Sequence, residues 1–566
     1  SFSDVFTCYH ENLLLQSSGT VFRLPLRTKH FAENSELSQE EVTEIIINDM
    51  LQNFETVMTK SLLFLRNVRK ISTGSIKNGK LVEEHWAKIE ISEEHLKNKS
   101  DFDKYVADKA MEFQQKRELF NRGQHEVSYE VTLKGNTCED TKWCIIQTFG
   151  FENDTEIPDS VEDAFDDDRL GLLPQGGVAL HLHHSALNDA TAFCFMPLPC
   201  QTGLTVHING HFSLDNESRR GLWKDDKKAY RTEWNNLLLS HVIAPTYAKA
   251  LEWLQHNYGL NPSVRGVQSE MQTKLRQFYS YFPNIEKAED HYWKCLVRSV
   301  YQFIEKKNMK LFLSCREVDN DEIELSCYSL HEENGNTLFK MENEDEEMIK
   351  LSKDLGAKLV DTPLWICESI EKTEINIDKF NPKNLSNFLK SSNCETSRLM
   401  KKQKHFALKS SALKTPENVK KCLEFCMRFK DDIEGIPLCL LETENLVEFS
   451  CQSPILLTKF SALIPSSNSE LLHHELHDLF RDKDFQCVEQ LTLERFASLL
   501  PSDLDYDSYR HKICPWIPNQ DSLPNKIWLE DLWRFLGHEI ETINEKTEMM
   551  RILHPILPWS IIPTTR

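Results

Sequence analysis

Three clusters of side chains in this sequence have the residue types that metal or nucleophile chemistry needs. His181, His183 and His184 fall together on a predicted strand, where residues 181 and 183 share a face. Two imidazoles on one face suit a zinc ion. No cysteine or carboxylate stands at a supporting spacing, Asp189 being only a loose third ligand, so histidines on a strand surface are the simpler reading. Leu472-His473-His474-Glu475-Leu476-His477 comes close to the zinc-protease pattern. The spacing is His-Glu-x-His rather than His-Glu-x-x-His, which leaves the glutamate out of place as a general base. A solvated helix face is expected there instead. Cys422 and Cys426 lie four apart on a predicted helix without a second Cys/His pair, which points to core packing.

Other chemistries find no support. There is no Gly-x-Ser-x-Gly elbow. The adjacent pair Gly176-Gly177 lacks the Lys-Ser/Thr of a phosphate-binding loop. Trp234, Trp253 and Trp293 sit among apolar residues at helical spacing, as core residues do, and not as a platform for stacked bases. The acidic run 152–169 has no ordered cation-ligand spacing and reads as a solvated loop.

The elements that must position these residues alternate along the chain. Ser38 and Glu41 make a capping box, followed by Val42, Ile45, Ile46, Met50, Phe54, Val57, Met58 and Leu62 at helical spacing, so a helix is expected to about Asn67. Gly79–Ile91 reads as a strand, Asp101–Phe120 as a helix, and Val127–Leu133 with Trp143–Phe149 as a hairpin through Gly135-Asn136. Strands are expected over Gly177–His184, Thr191–Leu198 and Leu204–Leu214. A helix follows over Lys227–Asn257, kinked or divided by Pro245, and another over His291–Lys306. A second α/β segment opens near Lys310, with strands Leu311–Cys315 and Glu322–Tyr328, a helix Glu347–Leu355, and a stop and strand through Gly356–Val360. Residues 379–430 read as helical with breaks at Pro382 and Pro416. A hairpin follows over Ile436–Leu441 and Leu446–Ser450, then helices at Leu491–Leu500 and Trp528–Leu536.

Bulk properties narrow the function classes. The chain has 566 residues, enough for roughly two to four domains. Its 88 acidic and 66 basic residues give a net charge of -22. A phosphate backbone or anionic bilayer would repel such a chain, so nucleic acid and membrane are not expected partners. The 16 cysteines are scattered singly and the first residues lack a signal-peptide pattern, which suits free thiols in the cytoplasm. The chain opens without Met, and Gly19–Arg27 reads as the last strand of a domain lying upstream.

A family resemblance rests on one specific stretch. Phe193-Cys194-Phe195-Met196-Pro197-Leu198-Pro199 is followed by Thr202-Gly203-Leu204-Thr205-Val206-His207-Ile208-Asn209-Gly210-His211-Phe212, then Ser218-Arg219-Arg220-Gly221-Leu222-Trp223. This closely resembles the central signature of the sacsin-type repeat: an aromatic strand, a Thr-Gly turn, a Val-His-Ile-Asn-Gly strand, and an Arg-Arg-x-Leu-Trp helix start. Gly19–Arg27, Gly356–Trp365, Gly435–Phe449 and Trp559–Thr564 resemble further elements of the repeat.

The resemblance implies a multi-domain α/β (mixed α+β) fragment. Residues 1–30 would be the remnant of an Hsp90-like nucleotide domain, 31–285 a middle-like α/β domain, and 286–566 a helix-rich α/β part. It implies a non-catalytic structural or interaction module of a large cytosolic chaperone-like protein, with proteins (clients, chaperones or a second copy) as partners. Quality control and intermediate-filament organisation come with that role. The family's nucleotide fold needs an Asp-x-Gly-x-Gly and a Gly-rich lid, and neither is present, so no cofactor is expected in this chain. ATP and magnesium would belong to the intact repeat. Thr20 corresponds to the base-pocket threonine without its partners. The alternative implied by analogy is a transducer half, in which Arg219 or Arg220 reaches the γ-phosphate from outside the nucleotide domain. Capping a helix, pairing with carboxylates or bracing Trp223 is the plainer role for these arginines.

Overall fold

The structure, a computed structural model, describes the chain apart from residues 1–21, 23, 25, 37, 78–79, 117–122, 183–186, 189, 216–219, 225–229, 320–321, 333–334, 342–344, 401–404, 429–432, 465–470, 482–484, 505–516, 518–520, 541–549, 552 and 562–566. The fold is multi-domain mixed α/β, as the sequence pattern implies. Two compact units form. One comprises Ser1–Leu311, Glu317–Ser329 and Thr362–Asn376; the other comprises Phe312–Arg316, Leu330–Asp361 and Ile377–Arg566.

The first unit is organised on an eight-stranded sheet. Its strands are β1 (Lys70–Lys77), β2 (Lys80–Glu90), β3 (His125–Gly135), β4 (Thr141–Phe149), β5 (Gln175–His181), β6 (Thr191–Cys194), β7 (Met196–Gln201) and β8 (His207–Gly210). They lie in the order β1-β2-β3-β4-β5-β8-β6-β7. Neighbours run antiparallel, except that β6 and β8 are parallel. The expected β3–β4 hairpin forms, with Tyr129 opposite Ile145 and Val131 opposite Trp143. Alternation puts Tyr129, Val131 and Leu133 on one face with Trp143, Ile145 and Phe193, packed against Met58, Leu62 and Phe64. Burying each such side chain contributes roughly 1.5–3 kcal/mol. The opposite face takes Val178 and Leu180, also buried, under the helix Ala244–Asn257.

Several expected boundaries move, each for a local reason. The first long helix runs Glu44–Ser61, not from Ser38 to Asn67. Thr43, not Ser38, is its cap: the Thr43 hydroxyl accepts from the Ile46 N–H at 3.4 Å, while Ser38 Oγ accepts from Glu40. The helix expected from Asp101 begins at Glu93, whose Glu93-Glu94 pair suits a helix N-terminus. The acidic run is not all loop, since Asp159–Asp166 is a helix that buries Val161, Ala164 and Phe165. Thr191–Leu198 is a hairpin of two strands and not one strand. The expected strand Leu204–Leu214 is regular only over His207–Gly210. In the span Gly19–Arg27, read as a strand, the described residues Phe22, Leu24, Leu26 and Arg27 carry no strand.

Pro245 acts as expected, but one turn earlier than its own position. The helix Tyr230–Leu238 passes into a π-helical turn, Leu239–Ile243, before Ala244–Asn257 resumes with Pro245 in its first turn. Proline offers no N–H to the carbonyl four residues back, which is that of His241. Gln124 Nε2 supplies a donor to this carbonyl at 2.8 Å. A Cβ on Gly176 of β5 would stand 2.6 Å from Ile243 Cγ1, so the glycine lets the widened turn sit against the sheet.

The second unit has two cores. The larger gathers Leu359, Leu385, Leu389, Val419, Cys422, Leu423, Leu440 and Leu472 from the helices Glu346–Asp354, Pro382–Lys390 and Pro416–Met427 and their connections. Pro382 and Pro416 open helices at the first position and do not break them. The smaller core gathers Leu463, Phe496, Leu500, Trp528, Leu532 and Phe535. Between them lies a parallel pair, Ile455–Leu457 with Val488–Gln490. Ile455 and Leu457 belong to the larger core and Leu456 to the smaller. The expected hairpin near residue 440 pairs Cys439–Leu440 with Asn445–Val447. Among the described residues, no helix is long and apolar enough to cross a membrane.

Candidate functional site

The signature stretch forms the β6–β7 hairpin, the Thr-Gly turn and β8, and its polar side chains serve the backbone around them. His207 is buried; its Nδ1 accepts from the Thr191 N–H at 2.9 Å, and its ring stacks on Trp143 with centroids 5.4 Å apart. Asn209 Oδ1 accepts from the Phe195 N–H at 2.9 Å. This bond holds Phe195 at φ 62, a backbone region bulky side chains rarely occupy, and so lets two strands reverse over a single residue. Thr202 donates from Oγ1 to the Ala190 carbonyl and accepts from the Leu204 N–H, both at 3.1 Å. Gly203 follows at φ 69, where a Cβ would lie 1.7 Å from the Lys287 carbonyl oxygen. Only glycine fits that approach.

A polar relay runs beneath the hairpin, and its members were not singled out in the sequence. The Arg66 guanidinium lies 5.9 Å from the Phe195 ring centroid and donates to Gln175 Oε1 at 2.9 Å. Gln175 Nε2 donates to Gln147 Oε1, and Gln147 Nε2 to the Tyr129 hydroxyl. His211 Nδ1 accepts from the Leu173 N–H at 3.0 Å. Burial, reinforced by the positive Arg66, pulls the His211 imidazole down to about 4. No sequence spacing connects residues 66, 129, 147, 175 and 211; the sheet register brings 129, 147 and 175 together, and Arg66 and His211 join from the segments beside it.

Arg220 occupies a closed loop and not a helix start. Leu214 and Leu222 form an antiparallel bridge, and Trp223 N–H donates to the Ser213 carbonyl at 2.8 Å. Asp215 Oδ2 accepts from the N–H groups of Arg220 and Gly221 at 3.0 and 3.1 Å. The next helix begins only at Tyr230. Arg220 is exposed; Arg219 and Thr20 lie outside the described residues. The cation over Trp223 is Arg231, 4.7 Å from the ring centroid.

The histidine clusters resolve differently. His181 ends β5 with its ring against Trp143 at 4.7 Å, while His183, His184 and Asp189 lie outside the described residues. The segment read as a solvated helix face is a short 3-10 turn, His474–Leu476, followed by His477–Phe480, and His473 is buried. Glu442, His473 and His474 bring ligand atoms within 4.8 Å of one another. Their hydrogen bonds are those of a cap and an ion pair. His473 Nδ1 accepts from the Glu475 N–H at 3.3 Å, and Glu442 Oε1 takes both the His474 N–H at 2.8 Å and its Nδ1 at 3.1 Å. A neutral imidazole bound to zinc through Nε2 carries its proton on Nδ1, so His473 would have to give up its cap to become that ligand. Burial lowers the His473 pKa, with Glu442 pulling the other way. Cys422 and Cys426 are buried in the larger core, as their spacing predicts. Burial raises both thiols, Cys426 to about 11.

Comparison with known proteins follows the signature. Residues 1–87 match the family described as Sacsin domain. The chain is 26% identical over 626 aligned residues to Sacsin of Homo sapiens, an alignment that takes in 100% of this chain and 13% of that protein. No solved structure matches. The likeness carried by Phe193–Trp223 therefore extends along the whole chain, which is a sacsin-like sequence.

Proposed function

We propose that this chain is a non-catalytic structural and interaction module of a large cytoplasmic chaperone-like protein, with residues 31–285 as the counterpart of an Hsp90-middle segment. The observation that carries the reading is the use of the signature's polar side chains. His207, Asn209 and Thr202 bond main-chain groups of the hairpin they belong to, as framework residues do. A surface of net charge -22 suits protein partners with basic faces and disfavours nucleic acid. Clients, chaperones and a second copy of the chain are the partner classes, and organisation of intermediate filaments is the role that goes with them. ATP titrated into this chain is expected to give no binding heat and no hydrolysis. Measurable turnover would overturn the non-catalytic reading.

A second reading, the transducer, has one observation in its favour: Arg220 is exposed on a loop that Asp215 holds closed. Arg220 would then reach a phosphate held by another domain, supplying a cation where negative charge develops. In a longer ATPase-active piece of the same protein, Arg220→Ala would lower kcat at unchanged ATP affinity. Unchanged turnover would reject this reading.

A further inference from the structure

We infer that Cys451 and Cys487 are a built oxidation site, closing to an intramolecular disulfide when the chain meets a peroxide. Their Sγ atoms lie 2.8 Å apart across 36 residues of sequence. A disulfide bond is about 2.05 Å long, so closing it asks for a shift of roughly 0.8 Å. The two positions are held by the fold. Cys487 directly precedes the strand Val488–Gln490, and its carbonyl accepts from the Ile455 N–H at 3.0 Å. Cys451 sits in the turn leading into the strand Ile455–Leu457, where Gln452 N–H donates to Ser450 Oγ at 3.2 Å.

Access divides the roles. Cys451 is partly exposed, and Cys487 is 3% exposed. The peroxide therefore meets Cys451 first. Its thiolate attacks one peroxide oxygen, forming Cys451 sulfenic acid and releasing hydroxide. The Cys487 thiolate then attacks the Cys451 sulfur, the S–O bond breaks, and the second hydroxide leaves. The two thiol protons convert both hydroxides to water, so two thiols and one peroxide become one disulfide and two waters. Cys439 also lies beside Cys487, but it is fully buried, and burial holds its thiol strongly protonated. The bond would staple the parallel pair that separates the two cores of the second unit.

The test treats the chain with hydrogen peroxide, alkylates it in denaturant and maps the peptides by mass. The expected product is a linked peptide pair containing Cys451 and Cys487, two hydrogens lighter than the separate peptides and released by dithiothreitol. Cys451→Ser, a change at the partly exposed member, should abolish the linked pair and leave Cys487 fully alkylated. Equal alkylation of both cysteines with and without peroxide in the unaltered chain would overturn the inference. So would a link from Cys487 to Cys439, or random pairing with the exposed Cys138.

Discussion

The side-chain amide of Gln124 donates at 2.8 Å to the main-chain carbonyl of His241, four residues ahead of Pro245. A residue just ahead of β3 thus repairs, from 117 residues away, what the proline takes from the helix. Replacing Gln124 by Ala should cost the first unit about 1 kcal/mol, the worth of a hydrogen bond to a part-buried carbonyl. Pro245→Ala should restore an N–H, so the cost of Gln124→Ala in that background should shrink. Denaturant unfolding of the four proteins in a double-mutant cycle measures the coupling.

Acid should weaken the first unit through His211. Its folded pKa is near 4, below the ordinary value of about 6.5, because burial and Arg66 disfavour the imidazolium. The unfolded chain therefore binds the proton more readily, and stability present above the ordinary value is lost as pH falls towards the folded one. Between about pH 7 and about pH 5 the loss from this group is about 2 kcal/mol. His211→Gln should flatten that slope, read by denaturant midpoints across the same range.

Gly203→Ala should be among the most damaging single changes in the signature. The added Cβ meets the Lys287 carbonyl oxygen at 1.7 Å, and the backbone is already at φ 69. Both steric terms act together, and roughly 2–4 kcal/mol of destabilisation is expected. Thermal unfolding of the variant, beside a Gly221→Ala control whose Cβ meets nothing within 4 Å, separates the steric effect from the loss of a glycine.

The second unit holds a part-buried ion pair that is also sensitive to mutation. Lys353 Nζ, on a side chain 8% exposed, donates to both Asp361 oxygens at 2.8 and 2.7 Å and to the Cys315 carbonyl at 2.8 Å. Asp361 Oδ2 also accepts from the Cys315 N–H at 2.7 Å. Lys353→Met should cost about 1–3 kcal/mol by leaving a part-buried carboxylate without its cation. Changing both to apolar residues should cost less than the single change, a difference that calorimetry of the variants would show.

Legibility in the sequence followed periodicity. The β3–β4 hairpin and the helix His291–Lys306 were readable because their apolar residues repeat at strand and helix spacing over many positions. The signature was readable because His207 and Asn209 bond main-chain groups of the same short stretch, whereas the need for glycine at 203 comes from the distant Lys287 carbonyl. Caps were harder, because Ser38 and Thr43 have equivalent chemistry and only packing decides between them. The helix Asp159–Asp166 was hidden in its acidic run, since three buried residues among carboxylates give a weak apolar signal. Arg66, Gln147 and Gln175 could not be linked in advance, because the pairing of two strands brings the glutamines together and Arg66 reaches them from the distant segment after the first long helix.

The strand Ile455–Leu457 turns alternate side chains into the two cores of the second unit. A three-residue partition of this kind makes the cores thermodynamic partners: loosening the core that holds Trp528 and Leu456 frees the strand whose Ile455 and Leu457 serve the other core. The amides of Ile455, Leu472 and Leu491, each bonded across this partition, should exchange with solvent at one common rate, because opening either side exposes them together.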